Sequence, residues 1–140
     1  MDGGYTDEYY GAYTRINTNK KPSLKCTGTK LTEFKDETDM YVGTLTADEM
    51  SFAGATGSTN YNYYLMNTYE DGNQLSWWSL SPYIFSEVDG LDSAFRLNDY
   101  GDLNSNVVLY NFYSRPAVSL KSGSVITGGD GTLEKPYIIG

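Results

Sequence analysis

The sequence predicts an α+β domain in which one or two short helices pack on small twisted antiparallel sheets, with a large share of loop. A helix start signal occurs at Thr46, short apolar runs recur along the chain, and clusters of Gly, Asn, Asp and Ser separate those runs. Such runs are typical of short strands joined by tight turns. The 140 residues suit one unit, so residues 1–140 are expected to form a single domain.

The N-terminal part of the chain gives the weakest signals. Residues 1–4 are expected to be disordered. A helix is predicted to begin near residues 6–8, because acidic side chains stabilise a first helical turn, although nearby glycines oppose it. Residues 23–27 alternate like a strand. Cys26 is expected to be a small buried hydrophobic residue, as free cysteines usually are.

The clearest helix follows Thr46. The four residues from Thr46 to Glu49 match a capping box, in which each of these two side chains binds the backbone amide of the other residue. Gly54 stands where a left-handed C-terminal cap belongs, so the helix is expected to be short. Met50 and Ala53 are expected to face the core. Strands are predicted at residues 40–45, 63–66, 75–80, 93–97, 107–110 and 117–120, and at 136–139 after a glycine-rich reversal.

Composition excludes several classes of function. A net charge of −8 and a pI near 4.3 argue against nucleic acid and against anionic membrane surfaces. The chain has no histidine and one cysteine, which removes His-based catalysis, a cysteine zinc cluster and an internal disulfide. No apolar run reaches the roughly 20 residues of a membrane span, so direct membrane insertion is not expected. No enzyme activity and no cofactor are predicted.

The segment from Trp77 to Leu120 has a composition suited to display. Its interior is rich in Tyr, Asn, Ser, Asp and Gly, the mixture used by antibody binding loops. Trp77 and Trp78 should point to opposite faces of a strand, one into the core and one near the surface. For the two tryptophans the alternative is that both simply pack against neighbouring side chains. For the displayed residues named next, the alternative is ordinary half-buried loop packing. The residues expected on a displayed, ligand-binding face are Trp78, Tyr83, Phe85, Tyr100, Asn104, Asn106, Tyr110, Asn111 and Tyr113.

Two acidic clusters have side chains that could serve as chemical sites. Asn98, Asp99, Asp102 and Asn104 concentrate oxygen ligands, so Ca²⁺ at Asp99 and Asp102 is the minor alternative to a solvated turn, and no metal site is predicted. The other cluster consists of Glu87, Asp89 and Asp92. No apolar pocket flanks it to raise the pKa of one carboxyl group, so glycoside hydrolysis is not expected.

Two arginines lie in apolar stretches, where an unpaired charge is costly. For Arg115 the sequence favours an ion pair or hydrogen bonds to backbone carbonyl groups over contact with a ligand. Arg96 is interpreted in the same way.

Three segments carry a resemblance to a known family. Residues 45–54, Leu-Thr-Ala-Asp-Glu-Met-Ser-Phe-Ala-Gly, resemble the helix signature of formylglycine-generating-enzyme-like domains. The segment Trp77-Trp78 to Ser81-Pro82 and the segment Ser114-Arg115-Pro116-Ala117 resemble the end of that superfamily, which has the C-type lectin fold. With Gly-Asp-Gly-Thr-x-x-x-Pro-Tyr at 129–137, the chain is similar to bacterial surface proteins of this fold over residues 5–140.

The resemblance implies a function. It suggests a non-catalytic recognition or adhesion module of a bacterial surface protein, extracellular or on the cell surface, exported or anchored by a segment outside this chain. The ligand would be a protein or a glycan, bound by loops of the C-terminal half. The same fold includes the variable proteins of diversity-generating retroelements, which vary in a final third of similar composition.

The sequence also lacks features of the families that it resembles. The enzymatic branch uses paired active-site cysteines, whereas this chain has only Cys26. The triplets that bind calcium and sugar in true C-type lectins are absent. The alternative function is a structural pilus or envelope subunit, in which a Tyr-rich surface mediates self-association.

Overall fold

A computed structural model of the chain describes residues 7–25, 42–66, 75–87, 90–118, 120, 122–132 and 134–140. Within these ranges the chain is mixed α and β, with two short helices and mainly antiparallel sheets, so the coarse fold class is confirmed. The expectations for residues 1–4, Cys26 and Asp89 fall outside the described ranges.

The regular elements are short and follow one another closely. In chain order they are β1 (Glu8–Tyr9), α1 (Gly11–Tyr13), a π-helical turn (Thr14–Thr18), β2 (Val42–Thr44), α2 (Ala47–Phe52), a 3₁₀ turn (Tyr64–Met66), β3 (Trp77–Phe85), β4 (Asp92–Leu97), β5 (Leu103–Val107), β6 (Tyr113–Ser114), β7 (Pro116–Val118), β8 (Ile126–Gly128) and β9 (Ile138–Ile139).

The main sheet has the strand order β1-β3-β4-β5, and β3, β4 and β5 form an antiparallel meander. β1 pairs with the C-terminal end of β3, whereas β6 runs parallel to its N-terminal end. Two further pairs, β2 with β7 and β8 with β9, form separate two-stranded sheets. The meander places the residues of β3, β4 and β5 in one layer.

Strand β3 continues through Pro82, where the sequence predicted an end near residue 80. The register between β3 and β4 shifts between Trp78 and Pro82, and again between Pro82 and Ile84. Bulges of this kind accommodate a proline that cannot donate to the ladder. The strand prediction was therefore too short.

Helix α2 begins as the sequence predicts. The Thr46 hydroxyl accepts from the Glu49 amide at 3.2 Å, and the Glu49 carboxylate accepts from the Thr46 amide at 2.7 Å, which confirms the capping box. Gly54 adopts φ +110° after the helix. Met50 is fully buried with Phe95 in the core, as expected. Ala53 is exposed, because it lies after the last helical residue, Phe52, whereas Ala47 in the first turn of the helix is buried.

Three other predicted elements are wrong in part. Residues 64–66 form a 3₁₀ turn and no strand, and residues 108–110 form a turn after β5. β5 instead occupies the Asn-rich residues 103–107, which strand propensity disfavours. Near the N terminus, residues 8–9 pair with β3 as β1, so the helix predicted there is reduced to α1 and the π-helical turn.

Candidate functional site

One face of the main sheet carries a row of large polar and aromatic side chains. Trp78 on β3 pairs in register with Arg96 on β4, and Arg96 pairs with Asn104 on β5. Cross-strand partners point to the same face of a sheet. Trp77, which precedes Trp78, points to the opposite face and is 2% exposed. The predicted division between the two tryptophans is confirmed.

Arg96 is the centre of this row. Its Nε donates to Asn104 Oδ1 at 3.0 Å, and its Nη1 donates to Ser76 Oγ at 3.4 Å. The guanidinium carbon lies 4.5 Å from the ring centroid of Phe112, a cation–π contact. Burial lowers the pKa of Arg96, while the negative charge of Asp99 raises it. The side chain is half-buried and remains a cation in a poorly hydrated position.

Aromatic side chains from the segment after β5 complete the site. Phe112 packs edge-on against Trp78, with ring centroids 4.9 Å apart and planes at 64°. Tyr110 stacks on Phe112 at 6.4 Å and is 60% exposed. We call this surface the Arg96 face. It comprises Ser76, Trp78, Arg96, Asn104, Tyr110 and Phe112.

The side of β3 opposite the Arg96 face packs against the core. The guanidinium carbon of Arg115 lies 4.9 Å from the ring centroid of Trp77, and Arg115 Nη1 donates to the Leu65 carbonyl at 2.6 Å. This confirms the structural role predicted for Arg115. Arg96 has a different environment, since its hydrogen-bond acceptors are side chains of the site.

Tyr83 is not displayed as expected. It points to the core side of β3, where its ring lies 4.8 Å from Phe95 and 4.9 Å from Tyr13 by centroid distance. Asn17 Nδ2 donates to its hydroxyl at 3.2 Å. Burial is the main reason that the pKa of Tyr83 is raised. The prediction for Tyr83 is wrong because β3 continues past Pro82, so that Tyr83 lies on the same side of the strand as Trp77.

The remaining predicted residues are exposed or partly exposed but scattered. Tyr100 lies in the β4–β5 turn, Phe85 ends β3, and Asn111 precedes Phe112. Tyr113 pairs in register with Trp77, so it belongs to the side opposite Trp78. Asn106 Oδ1 accepts from the Val107 amide at 2.8 Å.

Sequence reasoning did not place Phe112 or Arg96 among the residues of the displayed face. Strand parity carries the signal for Arg96, since Phe95 and Leu97 are buried and the residue between them must point outward. Trp78 and Asn104 also lie on strands, so the site is a sheet face with one flanking segment and differs from the loop surface that was expected.

The turn between β4 and β5 is organised by Asn98. Its Oδ1 accepts from the amides of Tyr100 and Asp102, and its Nδ2 donates to Asp102 Oδ2 at 3.2 Å. Asp102 Oδ1 is buried without a hydrogen-bond partner among the described residues. Over the same residues, no three His, Cys, Asp or Glu side chains are arranged to hold a metal ion. The hydrogen bonds of Asn98 to Tyr100 and Asp102 hold the β4–β5 turn closed.

Comparison of the chain with protein-family models, with curated proteins and with solved structures finds no match. The helices in the described ranges are too short, or too polar, to cross a bilayer.

Proposed function

We propose that this chain is a non-catalytic recognition module that binds a protein or glycan ligand through the Arg96 face. The observation that carries the proposal is the half-open cluster of Arg96, Trp78 and Phe112 on a sheet whose other side packs against the core. Aromatic rings beside an arginine are the residue types that dominate binding energy in interfaces. The rigid sheet also limits the entropy that ordering on binding would cost.

The chemistry of the face supports binding over catalysis. Its polar groups are the Arg96 guanidinium, the Asn104 amide, the hydroxyls of Ser76 and Tyr110 and the Trp78 indole N–H, and the Ser76 hydroxyl accepts from Arg96. A serine nucleophile needs an adjacent base, and the groups of the Arg96 face supply none. The enzyme alternative therefore has little chemical support at this site.

The finer fold and the location belong to the same proposal. We infer a C-type-lectin-like domain of a bacterial surface protein, and the proposal includes retroelement-driven diversification of the loops of its C-terminal half. The order of elements supports the fold: a capped helix packs on the sheet, a Trp-bearing strand begins the meander, and the strand following Arg115 returns beside β2. The exposed Tyr110 and Asn111 supply side chains of the kind that such variable surfaces use.

Array binding with matched variants tests the function. Purified protein is applied to arrays of glycans and of extracellular proteins, together with Tyr110→Ala and Tyr137→Ala. Both tyrosines are exposed, and Tyr137 adjoins the separate β8–β9 sheet. We expect Tyr110→Ala to lose the targets and Tyr137→Ala to keep them. Absence of any target, or equal binding by both variants, would contradict the proposal.

A structural subunit that self-associates is the second candidate. The observation favouring it is the β8–β9 sheet, whose Ile126, Ile138 and Val125 are each more than half exposed. Exposed aliphatic residues on a two-stranded sheet favour association with another chain. Sedimentation over a range of concentrations tests it: polymers that Ile138→Lys abolishes would favour this function over the first.

A further inference from the structure

We propose that the Arg96 face recognises the carboxylate of an acidic sugar, with Arg96 binding the carboxylate and Asn104 and Tyr110 contacting the sugar ring. This inference rests on the proposed function and names the ligand class of that site.

The guanidinium of Arg96 has hydrogen-bond donors left over. It carries five N–H groups, and its contacts within the described residues, to Asn104 and Ser76, use two of them and leave three. Both partners are neutral. In the described part of the chain the ion pair within 4.0 Å is that of Arg15 with Asp48, and Arg96 has no carboxylate at that distance.

Arg96 therefore bears a charge without a bound counter-charge in a half-buried position. Burial lowers its pKa, because a half-buried cation is poorly hydrated. The Phe112 ring compensates part of that loss, and the exposed Asp99 acts only from a distance. A carboxylate from solution would supply the missing charge and, through its two oxygens, would match the planar fork of the guanidinium.

The groups around Arg96 suit a sugar. Asn104 uses its Oδ1 to accept from Arg96, so its Nδ2 amino group can donate to a ligand hydroxyl. The exposed ring of Tyr110 offers an apolar face beside a hydroxyl, the combination that packs against a sugar ring.

The edge of the sheet disfavours an extended peptide as ligand. Peptides that add a strand need free amide and carbonyl groups along an edge. On the outer edge of β5, the Leu103 amide already donates to the Thr56 carbonyl at 2.8 Å. The Val107 amide donates to Asn106 Oδ1, also at 2.8 Å. Only a short stretch around Ser105 is left between these two bonds.

The net charge of the chain makes the test discriminating. At −8 the protein repels anions in general, so binding of an acidic sugar would need a local cationic site. The probes are tetragalacturonate and sialyllactose, each with a neutral counterpart, methyl-esterified tetragalacturonate and lactose. Affinities are measured by calorimetry on the wild-type chain.

We expect the acidic sugars to bind at least about tenfold more tightly than their neutral counterparts, since hydrogen bonds to a charged group are worth that much. Arg96→Gln should abolish the preference, and Arg96→Lys should keep part of it. Asp99→Asn should strengthen binding severalfold by removing a nearby negative charge, a gain that misfolding cannot produce. Lys135→Gln removes a positive charge, as Arg96→Gln does, but beside the β8–β9 sheet, and it should have no effect.

Three results would overturn the inference. They are failure to bind either acidic sugar, equal affinity for the neutral counterparts, and tighter binding of a tetraglutamate peptide than of the sugars. The proposed function can survive each of them: if the array targets still require Tyr110 but are neutral or are proteins, the recognition module stands and the carboxylate assignment falls.

Discussion

Arg15 and Asp48 form a two-point ion pair that joins the N-terminal segment to helix α2. Arg15 Nε donates to Asp48 Oδ1 at 2.9 Å, and Arg15 Nη2 donates to Asp48 Oδ2 at 2.7 Å. The Ser23 amide adds a third hydrogen bond to Oδ1 at 2.8 Å. Asp48 is buried and lies in the first turn of the helix, where a negative charge is favourable. The pair therefore fixes how the segment from Arg15 to Ser23 lies against helix α2.

Replacing Asp48 with Asn should lower the free energy of unfolding by about 2 kcal/mol near neutral pH, because the half-buried Arg15 cation loses the negative charge of Asp48. Burial by itself would raise the pKa of Asp48, but the hydrogen bonds from Arg15 and Ser23 and the Arg15 charge outweigh it and hold that pKa below 3.8. The resulting stabilisation is complete above that ordinary value and disappears as the pH falls through the lowered pKa.

Urea unfolding between pH 2 and pH 7 measures both effects. The acid-induced loss of stability should be smaller in Asp48→Asn than in the wild type, since the variant has no carboxyl group there to protonate. Asp7→Asn, at an exposed site, is the matched control and should follow the wild type. An Asp48→Asn curve parallel to the wild-type curve would refute the assignment.

Gly101 should not tolerate a side chain. It is buried in the β4–β5 turn at φ +82°, and a Cβ built on it would overlap the carbonyl oxygen of Asn60. Gly101→Ala should cost at least about 2 kcal/mol, because backbone strain and the clash add. Gly57→Ala has open space around it and should change stability by about 1 kcal/mol or less. Thermal melts of the two variants compare them, and equal melting temperatures would contradict the turn geometry.

Local signals predicted the parts of the fold that depend on neighbours in sequence. The capping box of α2 needs only Thr46 and Glu49, three residues apart, and it formed as expected. The opposite orientations of Trp77 and Trp78 follow from strand alternation alone. The same alternation places Tyr83 on the side of Trp77, but the proline at residue 82 suggested that the strand had ended.

The Arg96 face depends on relations that a single sequence does not reveal. Trp78 meets Arg96 through a register that contains two shifts, and Phe112 reaches Trp78 from 34 residues away. Each bulge adds a residue on one strand that the other strand does not match, so the partner of each residue cannot be counted along the chain. Asn104 lies on an Asn-rich strand that propensity assigns to loop.

Removing the Thr46 hydroxyl should weaken the start of α2. Thr46→Ala should lower stability by about 1 kcal/mol, the usual value of a capping side chain, because the Glu49 amide loses its acceptor. Thr46→Ser keeps the hydroxyl and should stay close to the wild type. Chemical denaturation of the three proteins gives the comparison, and equal losses in both variants would show that the methyl group matters and the cap does not.

Tyr63 should be the source of a stability loss at high pH. Its hydroxyl donates to the Gly101 carbonyl at 2.8 Å. Burial, and then the negative charge of Asp102, raise the pKa of Tyr63 to about 12, while Arg115 acts in the opposite direction. Because the folded-state pKa lies above the ordinary value of 10.0, the stabilisation is complete below pH 10 and is lost as the pH rises through about 12.

Tyr63→Phe isolates this effect. The variant should lose about 1 kcal/mol near neutral pH, since the Gly101 carbonyl loses its donor. Between pH 10 and about 12 its stability should fall less steeply than that of the wild type, because the late-ionising hydroxyl is gone. The difference in near-ultraviolet absorbance between the two proteins should titrate near pH 12. Tyr61→Phe, at an exposed site, is the control, and a difference spectrum that titrates near pH 10 would contradict the buried position of Tyr63.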